Sequence, residues 1–210
     1  MNKIFLYIYP IKEYTQMFLL KDDSLYDEFK IPRPLPILNE CIEKRYRSKG
    51  YKVVFVTFPE KEVFGVISKS EDNIIYADIS FEQLSAYDED GRKKENFVPM
   101  YANPQYILEQ LGNVEEVILG GYHALDCVKK IAEHIQSMGI TTLVDLEMTD
   151  LFFNVYKETY FNPEEYNIER YKENVIQKFV RMGEEKAKER FYATYSSSVY
   201  GFSSKKRLDV

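Results

Sequence analysis

Cys127 has the surroundings that most often make a cysteine reactive. It follows Gly120-Gly121-Tyr122-His123 and lies in the first turn of a stretch with helical spacing. Free amides and the helix dipole at such a start favour a thiolate. A thiolate beside an acid and a base is a common nucleophile design. His123, four residues earlier, could serve as base or ligand; an N-cap or a surface residue is the other reading. For Cys127 the alternative is a small apolar residue buried against a sheet, as free cysteines often are. Asp145, Glu147 and Asp150 follow an apolar run and could hold Mg²⁺. They equally suit an ordinary strand exit, with Thr149 or Asp150 capping a turn. No histidine stands nearby in sequence, so no metal is expected. His134 falls mid-helix and reads as structural, and Cys41 falls on an apolar helical stripe and reads as core. There is no Gly-rich phosphate loop and no Gly-x-Ser-x-Gly elbow, and no cofactor is expected.

These residues need elements to hold them. Ile4 to Tyr9 is a continuous apolar run ended by Pro10, which suits a strand covered on both faces. Ile37 to Lys49 has helical spacing with Gly50 as its stop, and Val53 to Phe58 is a second strand. Strand, helix, strand is the usual route to a parallel pair. Tyr14 to Pro36 reads as a long loop or flap. Val63–Ile67 and Ile74–Ile79 read as short strands, joined as a hairpin across Glu71-Asp72-Asn73. Phe81–Tyr87 and Tyr106–Leu111 read as short helices, and Asp88–Asn96 as a charged loop. Glu116–Gly120, Ala124–Met138 and Thr141–Val144 form a complete βαβ unit. Pro163–Arg190 carries seven acidic and seven basic residues around a 3–4 apolar repeat, and reads as a long helix. Tyr195–Val210 is a serine-rich flexible or docking tail.

The fold class expected is α/β: a mostly parallel central sheet with helices on both faces, three layers, plus a C-terminal helical extension. The division is residues 1–155 and 156–210. In parallel sheets ligands sit beyond the carboxyl ends of strands. Tyr9, Glu13, Thr57, Gly121, Tyr122, His123, Cys127 and Asp145 are the candidates at that edge.

Composition limits the function classes. The chain has 210 residues, 45% of them apolar, enough for a sizeable core. A net charge of −6 argues against a general nucleic-acid binder. No apolar stretch is long enough to span a bilayer. Two cysteines make no disulfide framework, and a cytoplasmic location is expected. The 18 tyrosines fit compositional bias more simply than a stacking surface.

The segment Val117–Gly121, Cys127-Val128, Gly139 and Thr141–Asp145 resembles the isochorismatase-like cysteine hydrolases, the superfamily that includes nicotinamidases. The likeness covers about residues 1 to 153, and only the Cys127 segment is specific. It implies a cysteine nucleophile at Cys127. That family also places an aspartate after the first strand and a lysine after a middle strand. Here Tyr9-Pro10-Ile11-Lys12 occupies the first place, with Glu13 the nearest acid. Lys93 and Lys94 fall in a loop, not in the second place. The resemblance therefore implies a diverged domain with an incomplete triad that binds a small ligand or a protein partner. The alternative is an active amidase-type hydrolase of C–N bonds, with Cys127 served by His123 or Glu13. A third reading is an unrelated doubly wound domain whose C-terminal helix drives homo-oligomerisation.

Overall fold

The computed structural model describes residues 2–17, 19, 23–28, 33–87, 93–150 and 160–161. The expected helix at 163–190 and the tail at 195–210 lie outside the described residues.

Six strands form one sheet: β1 (Lys3–Ile8), β2 (Lys52–Thr57), β3 (Asn73–Tyr76), β4 (Glu116–Gly121), β5 (Thr141–Thr149) and β6 (Tyr160–Phe161). Their order is β3-β2-β1-β4-β5-β6. The first five are parallel, and β6 pairs antiparallel to β5. Residues 160–161 thus add a strand to the sheet of the first 155. β1 is central because Ile4–Ile8 is apolar throughout and can be covered on both faces.

The helices are α1 (Lys12–Met17), α2 (Ser24–Glu28), α3 (Pro34–Cys41), α4 (Phe81–Leu84), α5 (Pro104–Leu111) and α6 (Lys129–Ser137). α2 and most of α1 fall in the stretch read as a flap. α3 continues through a π turn (Ile42–Tyr46) and a 3-10 turn (Arg47–Lys49). Gly50 ends it with φ +79°, a left-handed conformation that glycine adopts without steric cost. A second π turn, Ala124–Val128, precedes α6.

Two chain directions leave β1. β2 and β3 extend one way, β4 and β5 the other. Right-handed crossovers then place the α3 segment on one face and α5 and α6 on the opposite face. On the α3 face the Tyr46 ring stacks on Phe5 at 3.7 Å. α5 and α6 lie side by side, and α6 runs along β5.

Three expectations are corrected. Residues 63–67 form no strand, and β3 pairs parallel with β2, so there is no hairpin. The Asp72 carboxylate in the supposed turn instead accepts from the Arg47 guanidinium and from the Lys69 amide. β5 runs on to Thr149, so Asp145 and Glu147 lie within the strand and not beyond it.

Candidate functional site

The reversal of direction between β1 and β4 is where open α/β sheets usually bind ligands, at the carboxyl edge. Here described side chains crowd that place. Gly121 ends β4 with φ +106°, and a Cβ there would lie 2.1 Å from the Ile8 carbonyl oxygen. Only glycine lets the two strands approach so closely, and the Tyr122 amide donates to that same oxygen at 2.9 Å. Gly121 therefore serves strand packing.

Aromatic rings occupy the crevice above it. Tyr9, with φ +53°, is buried and stacks on Phe58 at 4.3 Å. α1 brings Tyr14 over the same edge, 4.5 Å from the His123 ring and 6.0 Å from Tyr122. Tyr122 meets Tyr7 edge-on at 6.2 Å. Burial, ahead of neighbouring groups, holds the Tyr7, Tyr9 and Tyr122 hydroxyls above the usual phenol range. The Tyr9 hydroxyl is buried and has no hydrogen-bond partner among the described residues.

His123 occupies the N-cap position of the π turn, and its carbonyl accepts from the Asp126 and Val128 amides. The side chain does not cap. It is buried, with Nδ1 3.4 Å from Asp150 Oδ1. Asp150 follows β5 with φ +54°, and its amide donates to the Gly121 carbonyl at 3.1 Å. His123 and Asp150 thus meet across the β4 and β5 ends.

Cys127 is 5% exposed and belongs to the core. Burial pushes its thiol well up, Asp126 pushes the same way, and Lys130 opposes them. The helix start does not deliver the thiolate that the spacing suggested: desolvation outweighs the amide dipoles. Among the described residues no carboxylate, amine or imidazole is hydrogen-bonded to this thiol.

Glu13 lies on α1 and pairs with Lys61. Its Oε1 accepts from Lys61 Nζ at 2.5 Å, and that ammonium also sits 4.7 Å over the Phe81 ring. Lys61 closes the segment after β2 that the strand-end rule marks, but sequence reasoning gave it no role, because nothing local pairs it with Glu13, 48 positions away. Thr57 ends β2, and its hydroxyl donates to the Lys61 carbonyl at 3.2 Å. Beside it opens a cleft of about 390 Å³, lined by Thr57, Glu60, Lys61, Glu62, Ile74 and Tyr76 among others.

Asp145 is corrected from edge residue to core residue. It is fully buried on the α3 face. Arg45 Nη1 donates to its two oxygens at 3.2 and 2.9 Å, and the Tyr46 hydroxyl donates to Oδ2. The Glu147 amide donates to Oδ1 at 3.0 Å. No carboxylate oxygen is left for a ligand at the edge. Among the described residues no group of three or more His, Cys, Asp or Glu could hold a metal ion.

The strand order and the carboxyl-edge cleft define a doubly wound α/β domain. No protein-family model matches the chain, and no curated protein matches it. Solved structures do resemble it. An isochorismatase family protein from Desulfovibrio vulgaris subsp. vulgaris str. Hildenborough is 13% identical, with 70% of this chain and 81% of that chain covered and a TM-score of 0.43. The YcaC gene product from Escherichia coli, described as an octameric hydrolase of unknown specificity, is 8% identical, with coverages of 92% and 87% and a TM-score of 0.41. Two of these similar structures are described as isochorismatase family proteins. With identities of 8–15% and TM-scores below 0.5, the likeness brings over no residue role, activity or assembly. Among the described residues no helix is long and apolar enough to cross a membrane.

Proposed function

We propose that this chain is a small-ligand-binding domain of isochorismatase-like fold without cysteine-hydrolase chemistry. Its ligand enters the cleft beyond β2 and β3. One observation carries this reading. Among the described residues a cleft at the carboxyl edge lies beside Thr57 and Tyr76, while Cys127 is 5% exposed. A nucleophile must reach its substrate, and a thiol held protonated by desolvation attacks poorly near neutral pH. Tyr9, Tyr122 and Gly121 act in this reading as the packed floor of the edge. Thr57 is the one sequence-derived ligand candidate that lines the cleft.

A fragment screen by protein-observed NMR tests it. Hits should shift amide signals of residues 57–63 and 74–76, lose about tenfold in affinity in Tyr76→Ala, and bind Cys127→Ala as they bind the unaltered chain. Hits confined to signals around His123 and Cys127 would overturn the proposal. So would amide hydrolysis that disappears in Cys127→Ala, which would favour the amidase alternative.

A further inference from the structure

The cleft has a sign. Of the charged side chains lining it, Glu60, Lys61 and Glu62, only Lys61 is a cation. Its ammonium is already held by Glu13 at 2.5 Å and lies over the Phe81 ring. An ammonium so placed contributes little to attracting an anion. Glu60 Oε1 accepts from the Phe81 amide, which uses one of its two oxygens. Glu62 is exposed and makes no ion pair among the described residues. The charge facing a ligand is therefore net negative.

The lining also includes apolar side chains. Ile74 and Tyr76 lie on one face of β3 and are 41% and 51% exposed. No helix connects β2 to β3, so this part of the face lacks the cover that parallel strands usually have. Ile75, pointing the other way, is buried. Carboxylates and an exposed ring lining one cleft form the pairing that attracts organic cations: ion pairing for the charge and the ring face for its alkyl or aromatic body.

We infer that the cleft binds an organic ammonium with an apolar body, the ammonium at Glu62 and Glu60 and the body against Tyr76 and Ile74. This inference rests on the ligand-binding reading above and adds the chemical class.

Three probes of one shape and different charge test it: phenethylammonium, 2-phenylethanol and 3-phenylpropionate, titrated against the full chain at neutral pH and followed by NMR. The expected result is that phenethylammonium shifts the signals of residues 57–63 and 74–76. It should bind roughly tenfold more tightly than the alcohol, as two exposed ion pairs and a ring contact allow. Glu62→Gln should weaken it about threefold and Tyr76→Ala by a similar factor, and added salt should weaken it further. Both side chains are exposed, so an unchanged unfolding temperature is expected and confirms that the variants are folded. Equal or tighter binding of the alcohol or the carboxylate in the cleft would overturn the cationic class and leave the ligand site standing. An ammonium affinity unchanged in Glu62→Gln would overturn the class as well. If none of the probes, and no fragment of the screen, shifts the cleft signals, both readings fall.

Discussion

Cys127 shows how a residue type in the right sequence setting can have the wrong environment. Its place at a helix start is visible in the sequence, and its desolvation is not. Ellman's reagent near pH 8 should react with Cys127 at least tenfold more slowly in the native chain than in guanidinium, because the thiol is buried and held protonated. Rapid native reaction, lost in Cys127→Ala, would contradict this. Gly121 makes a sharper demand. Gly121→Ala adds a Cβ 2.1 Å from the Ile8 carbonyl in a backbone conformation that L-residues rarely adopt. We expect a loss of about 3 kcal/mol or more in urea unfolding. A loss under about 1 kcal/mol would mean that β1 and β4 can separate at little cost.

At the scale of elements, the α3 segment is fastened to β5 by one buried cluster. Arg45 and Tyr46, both fully buried, meet Asp145 across 100 and 99 positions of sequence. Removing one partner of such a pair leaves a charge unpaired in a low dielectric, so Arg45→Met alone should cost about 3–5 kcal/mol. Arg45→Met with Asp145→Leu should recover most of that, since well-packed apolar residues often replace a buried pair without loss. Chemical denaturation of the two single variants and the double variant measures the coupling. Additive losses would show that the pair does not act as a unit. The α3 segment from Ile37, its stop at Gly50 and the βαβ unit around Cys127 were legible from periodicity and glycine placement, but the start of α3 at Pro34 was read as loop. The π turns were not, because a one-residue change in hydrogen-bond register leaves little trace in apolar spacing. β3 was legible as a strand but not as a parallel one: Glu71-Asp72-Asn73 reads as a turn until Arg47 supplies the partner for Asp72.

For the molecule as a whole, its buried acids set how stability depends on pH. Cys41 is pushed from 9.0 up to about 12, first by burial, with Arg45 opposing. Cys127, Tyr7, Tyr9 and Tyr122 are also raised, with burial the largest cause in each. Well below pH 9 these groups are protonated in both the folded and the unfolded chain. Above it the unfolded chain releases protons that the folded chain keeps. Stability should therefore fall as pH rises, by up to about 1.4 kcal/mol per pH unit for each group titrating only in the unfolded state. For Cys41 the window runs from pH 9 to about 12, and the tyrosines add to the loss above pH 10. Denaturation midpoints from pH 8 to 11 check this. Cys41→Ala should show a shallower decline, and a decline equal to that of the unaltered chain would count against the assignment.

The sequence by itself determined the α/β class, the parallel core strands and the cysteine at the start of the helical segment before β5. These follow from local patterns: apolar runs, 3.6-residue spacing, prolines and glycines that end elements. Tertiary structure alone decided the environment of each chemical group. Asp145 became a core anchor because Arg45 lies above it. Glu13 became the partner of Lys61, and Cys127 became a desolvated core residue. A described cleft opens at Thr57 and Tyr76, and Tyr14 packs against the His123 ring. Charge state, burial and free volume depend on neighbours far away along the chain, and no spacing of residues encodes them.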